Sequence, residues 1–152
     1  MLKKKEDNTR SNFEDVFNEC TVEQFMSTQI LVGRIDFKVP HIARLFDEMK
    51  IHHLPIVDEN RKVVGIITAN DMVRIWSSLM EEGKQSLFKT GDIRDFMTKD
   101  PVCCSPETTI AEAIKLFDKG AFRALPVLLD DELTGIFTAN DLISFLNQLL
   151  KK

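Results

Sequence analysis

No apolar run in this chain approaches the ~20 residues that a membrane-spanning helix requires, so a soluble, cytoplasmic protein is expected. The start, Met1-Leu2-Lys3-Lys4-Lys5-Glu6-Asp7, carries positive charge with no apolar stretch behind it, so it is not expected to be a secretory signal. Cysteine is scarce: Cys20, Cys103 and Cys104 fit no metal or redox spacing, and buried reduced thiols are expected. Excess positive charge is also missing. A formal net charge of −4 argues against binding nucleic acid, which draws on clustered basic residues to neutralise phosphates. The run Lys3-Lys4-Lys5 precedes a polar lead and serves solubility. Finally, there is no Ser-His-Asp set, His-Glu-x-x-His, Walker lysine or metal-ligand cluster. Neither a catalytic residue nor a required cofactor is expected, and the chain does not read as an enzyme.

What is present is repetition. The 152 residues, 43% of them hydrophobic, suffice for one core or for two halves that share one. Phe13, Val16, Phe17 and Cys20 have helical spacing within a partly flexible extension over 1–21. From Val22 the order is a leading segment, a short strand at Ile30-Leu31-Val32, and a helix with Ile42, Leu45, Phe46 and Met49 on one face. Pro40 suits that helix's first turn. Leu54–Val57 and Val63–Ile67 then form a hairpin, and a helix follows with Met72, Ile75, Trp76, Leu79 and Met80 on a stripe. That first repeat spans 22–80, and 81–92 reads as a linker.

Residues 93–150 repeat the order: Ile93–Met97, the strand Val102-Cys103-Cys104, a helix with Ile110, Ala113, Ile114 and Phe117, a hairpin, and a last helix. Phe25 and Phe96, Phe46 and Phe117, and Pro55 and Pro126 stand 71 apart, whereas Gly65 and Gly135, Thr68 and Thr138, and Asp71 and Asp141 stand 70 apart. One residue is therefore missing from the second hairpin turn. The fold class is α/β (α+β): two tandem β-α-β-β-α units, each too small to bury both sheet faces, expected to pack sheet to sheet around a pseudo-two-fold axis.

The segment shared most closely is Gly65-Ile66-Ile67-Thr68-Ala69-Asn70-Asp71 and Gly135-Ile136-Phe137-Thr138-Ala139-Asn140-Asp141, an apolar strand feeding a helix start. Two readings stay open. Thr-x-x-Asp is an ordinary helix cap, the threonine oxygen taking the amide of the third helical residue. The same start also offers amides to an anion and a carboxylate to a sugar diol.

Phe96-Met97-Thr98, the strand starts Leu54-Pro55-Ile56 and Leu125-Pro126-Val127, and the two Gly-h-h-Thr-x-x-Asp segments together resemble the cystathionine β-synthase (CBS) domain family, whose paired copies form a Bateman module. The likeness covers about Val22 to Leu150. It implies a module that binds AMP, ADP, ATP or S-adenosylmethionine in clefts between the copies. By that resemblance Asp71 and Asp141 hold ribose hydroxyls, and Thr68 and Thr138 meet phosphate. Ile51, His52 and His53 in the first copy, and Phe122, Arg123 and Ala124 in the second, take the places near the base. Phe122 would stack on adenine or pack in the core, and Arg123 would pair with phosphate. Where the family often has a threonine in the first strand this chain has Val32 and Cys103, and its Ser-Pro survives as Ser105-Pro106 but is Arg34-Ile35 in the first copy. The second-copy site is thus preferred, with Arg34 a compensating phosphate ligand at the other.

The leading expectation is a stand-alone ligand sensor, a homodimer that signals to an effector protein in trans. The terminal helices, with Trp76, Leu79 and Met80 in one copy and Phe145, Leu146 and Leu149 in the other, have more apolar positions than one internal face needs, and that surplus suggests an oligomer surface. The alternative is a ligand-free dimerisation or adaptor module in which both Thr-x-x-Asp segments only cap helices.

Overall fold

The computed structural model describes residues 13–151. The lysine run and the flexible lead expected before Phe13 lie outside them. Two units emerge, and they do not follow the order of the chain. One holds residues 31–102 with 131–133; the other holds the remaining described residues, 13–30, 103–130 and 134–151.

In the unit of residues 31–102 a four-stranded sheet forms from β1 (Gly33–Arg34), β2 (His53–Val57), β3 (Val63–Thr68) and β4 (Thr98–Lys99), in that order. β1 runs parallel to β2 and the other pairs are antiparallel. Pairing in β1 starts at Gly33, later than the apolar Ile30-Leu31-Val32 suggests. A β-carbon at Gly33 would press on Ile56, Ile42 and Leu54 at 2.7–3.1 Å, so the bare backbone is what lies closest to β2. α2 (Val39–Met49) starts with Pro40 in its first turn and stops at Lys50, which is left-handed at φ 53°. It buries Val39 and Ile42 against Leu54, Ile56, Ile67, Met72 and Ile93, each contributing about 1.5–3 kcal/mol. Met49 falls off this face at 53% exposure. α3 (Ala69–Glu81) follows β3 directly and gives way at Gly83, φ 68°. The expected linker contains a further helix, α4 (Gln85–Thr90); Phe88 meets Trp76 of α3 edge-on, ring centres 4.9 Å apart.

The other unit repeats this design. The helix α1 covers 13–19 among the described residues, α5 runs Ile110–Lys119, and β5 (Ala124–Leu129) and β6 (Glu132–Thr138) form the hairpin before α6 (Ala139–Leu150). Single bridges stand where the first unit has its outer strands: Cys104 pairs parallel with Val127, and Ser27 antiparallel with Ile136. Val22, Ile110, Ala113, Leu125, Val127, Phe137 and Phe145 form the core. The deleted residue is explained by the turn. Asp130 and Asp131 both lie at positive φ, 50° and 64°, the geometry of a two-residue hairpin loop. The first hairpin has five residues between its strands, tied by two amides on Asp58 Oδ1, and β5 and β6 each run one residue longer than β2 and β3, which leaves the one deletion.

The leading segment of each repeat completes the unit built by the other. Ile93–Lys99 closes the sheet of β1–β3, and Val22–Ser27 closes that of β5–β6. The glycines permit it. A β-carbon at Gly65 would fall on the Met97 sulfur, and one at Gly135 on the Met26 sulfur.

Candidate functional site

Each Thr-x-x-Asp start is a closed ring of hydrogen bonds. The Thr68 amide and hydroxyl both donate to Asp71 Oδ2 at 2.8 Å, and the Asp71 amide donates back to the hydroxyl at 3.1 Å. In the second copy Thr138 donates twice to Asp141 Oδ2 at 2.7 Å, and the Asp141 amide returns at 3.3 Å. These are capping boxes with aspartate in the glutamate's place. Burial opposes ionisation of Asp71, but the Thr68 hydrogen bonds and the Arg74 guanidinium outweigh it, and the carboxyl lies below its ordinary range.

The chain just before the central strand is brought to the same place. The Ala69 amide, first in α3, donates to the His52 carbonyl at 3.0 Å, and the Ala139 amide donates to that of Arg123 at 2.9 Å. His53 pairs with Thr68 across the sheet. Within one unit, therefore, Ile51 and His53 stand beside Thr68 and Asp71, and within the other Phe122 and Arg123 stand beside Thr138 and Asp141. Ile51 and Phe122 are half-buried and pack on their own cores, Phe122 with its ring 6.2 Å from that of Phe117. Arg123 is exposed and donates to the Phe122 carbonyl at 3.1 Å.

Ser105 is not brought there within its unit, and Cys103 stands one residue before the bridge from Cys104 to Val127. The Cys104 amide donates to the Pro126 carbonyl and the Leu128 amide to that of Cys104, so this strand runs along β5 away from Arg123. Ser105 lies beyond, roughly 13 Å along the strand from Ala124, with its amide on the Thr108 hydroxyl at 3.0 Å. The three cysteines form no disulfide and are only half-buried, less than the sequence suggests. Burial still pushes Cys103 up and Cys104 up to about 11.

Arg34, at the place of Ser105, is committed to Asp36 by a fork of 3.0 and 2.8 Å. It lines a cleft of about 710 Å³ with Asp36, Asp58, Glu59, Arg61 and Arg94. That cleft lies at the hairpin end of the sheet, where Val57 pairs with Val63, and the Thr-x-x-Asp start lies at the other, where His53 pairs with Thr68. The two features do not coincide. The helix starts carry more weight, because the same hydrogen-bonded arrangement is built in both copies, at Thr68–Asp71 and at Thr138–Asp141.

Arg74 escaped the sequence reading. It stands one turn after Asp71 and donates to Asp71 Oδ1. Subtracting 70 from Ser144 would have exposed the difference between the copies. Among the described residues no three His, Cys, Asp or Glu side chains are grouped to hold a metal, and no helix is long and apolar enough to cross a membrane.

The CBS domain profile matches residues 22–78 and 93–148. A protein of Methanocaldococcus jannaschii, MJ1426, of unassigned role, is 33% identical over 155 residues, covering 82% of this chain and 90% of that one. Inosine-5'-monophosphate dehydrogenase of Korarchaeum cryptofilum is 34% identical over 120 residues, covering 78% of this chain but 23% of the enzyme. The chain spans between 23% and 45% of the length of several curated relatives it matches. Among solved structures, CBSX2 of Arabidopsis thaliana superposes with a TM-score of 0.75 at 28% identity, covering 88% of this chain and 98% of that one. CBSX2 in complex with AMP gives 0.72 at 27%, with 86% and 98% covered. With an α+β fold shared with these structures and both repeats matched, the chain belongs to the CBS domain family, as a tandem pair.

Proposed function

We propose that this CBS pair is a regulatory module that binds an adenosine-containing ligand, AMP foremost, at the helix starts Thr138–Asp141 and Thr68–Asp71, and signals in trans to an effector protein. One observation carries the reading. In each unit the Thr-x-x-Asp carboxylate, the helix-start amides and the segment before the central strand (Ile51–His53 or Phe122–Arg123) are tied together by the bonds from Ala69 to His52 and Ala139 to Arg123. A carboxylate suits a cis-diol, a half-buried apolar side chain suits a base, and a helix start suits phosphate. The AMP complex of CBSX2, 27% identical, points to the same ligand class.

Exposed apolar side chains on α3 (Val73, Trp76, Met80) and α6 (Ile143, Leu146, Leu150) support a homodimer. No catalytic step and no resident cofactor are assigned, and the three unbridged thiols suit a reducing cytoplasm. The competing reading, a ligand-free adaptor, draws on the same capping boxes, which already use Oδ2 of both aspartates.

A melting series with AMP, ADP, ATP and S-adenosylmethionine, with inosine and inorganic phosphate as controls, separates the two. A ligand of the native state raises the midpoint with concentration. We expect AMP to raise it, and Asp141→Ala to reduce that rise. A midpoint indifferent to every adenosine compound favours the adaptor.

A further inference from the structure

The two helix starts are alike through the aspartate and differ three residues on. Oδ2 of each aspartate receives an amide and a hydroxyl from its threonine, at 2.8 Å in the first copy and 2.7 Å in the second. An ionised carboxylate has about four lone-pair sites, two per oxygen, so the cap fills Oδ2 and leaves Oδ1 as the acceptor for anything else. In the first copy Arg74 donates to Oδ1 of Asp71. Its counterpart 70 residues on is Ser144, and Oδ1 of Asp141 receives no hydrogen bond or ion pair from the described residues. The Asp71 side chain is 14% exposed and that of Arg74 79%, so the pair reaches solvent through the arginine.

We infer that Arg74 is a specificity-determining residue that occupies the diol acceptor of the first copy, grading the two sites so that an adenosine ligand fills the Asp141 site first. The inference rests on the ligand reading above. The two hydroxyls of a ribose need two open lone pairs, which Asp141 Oδ1 has and Asp71 Oδ1 lacks while Arg74 is in place. Because the pair faces solvent, it is weak enough to yield: exposed pairs of this kind hold by a factor of roughly two to five. The first site therefore opens at higher ligand concentration, and the pair responds over a wider range than two equal sites would.

Calorimetric titration with AMP and 2'-deoxy-AMP tests it. Asp141→Ala leaves the first site alone, and adding Arg74→Ala should tighten AMP there by about two- to five-fold without helping 2'-deoxy-AMP equally. Conversely Ser144→Arg, which removes no cap, should weaken the tighter site of the otherwise native protein. Equal AMP affinity with and without Arg74, or weaker binding without it, overturns the inference while leaving the ligand reading intact. No AMP binding in any form overturns both.

Discussion

The sulfur of Met97 lies where a β-carbon of Gly65 would have to go, and Met26 stands in the same relation to Gly135. Each contact fastens the head of one repeat onto the sheet of the other, so neither repeat alone holds a complete core. This is a packing constraint, and it is testable by adding one methyl group.

Gly65→Ala should destabilise the protein by about 1–3 kcal/mol, the usual range for overpacking a tight site. Met97→Ala should also destabilise, through the cavity it leaves. The double variant should be more stable than the sum of the two losses, because the alanine methyl then has room. Urea unfolding of the four proteins in a cycle measures the coupling, and additive losses would show that the two residues do not compete for space.

The repeat, its register and most helices were legible in the sequence because they depend on local periodicity. Even the slip from 71 to 70 pointed to a real feature, the two-residue turn at Asp130-Asp131. Three things were not legible, each for a physical reason. A repeat tells which segments are alike but not which copy they close, so the crossing of Met97 to Gly65 had no local signal. The strand at Gly33 was hidden because a residue chosen for having no side chain carries no hydrophobic signal. α4 is six residues long, too short to show a stripe. At the candidate site, Thr68, Asp71, Thr138 and Asp141 stand out in the sequence because they follow strand and helix signals. Arg74 was overlooked because an Asp–Arg pair one helical turn apart looks like surface charge unless the two copies are laid side by side.

Asp71 should make itself felt in acid. Its folded carboxyl lies below the unfolded value near 3.9, chiefly through Thr68 and Arg74 against the opposing effect of burial. A depressed carboxyl contributes stability that is complete above the unfolded value and is lost as pH falls through the folded one. Arg74→Ala raises that carboxyl toward normal, so the variant should be less stable than the native protein at neutral pH and the gap should close at the acid end. Unfolding midpoints collected from pH 7 down to the acid transition would show it; a gap constant with pH would assign the effect of Arg74 to something other than Asp71.

The thiols should be slow. Burial holds Cys104 near 11, with the neighbouring Cys103 adding to the shift, and the thiolate is the reactive form. Iodoacetamide at pH 7.5 should label Cys104 far more slowly than a free cysteine, with the rate climbing as pH approaches the thiol's own value. Peptide mass analysis of a timed reaction reads each site, and rapid modification at neutral pH would place Cys104 in a more open setting.

Trp76 is the sharpest probe of self-association. It is 45% exposed on α3 between Val73 at 65% and Met80 at 45%, while its other face meets Phe88. Apolar side chains in such a row lose solvent contact if two chains meet there, and aromatic anchors tend to carry a large share of interface energy. Trp76→Glu would place a charge on that row, and a charge buried without a partner costs several kcal/mol, enough to dissociate a dimer of ordinary affinity. If α3 contributes to the interface, sedimentation equilibrium should show a dimer for the native chain and a monomer for the variant, with the circular dichroism of the two alike. A variant that remains dimeric would move the interface to α6, where Ile143 and Leu150 are 55% and 77% exposed, and Leu150→Glu is then the substitution expected to separate the chains.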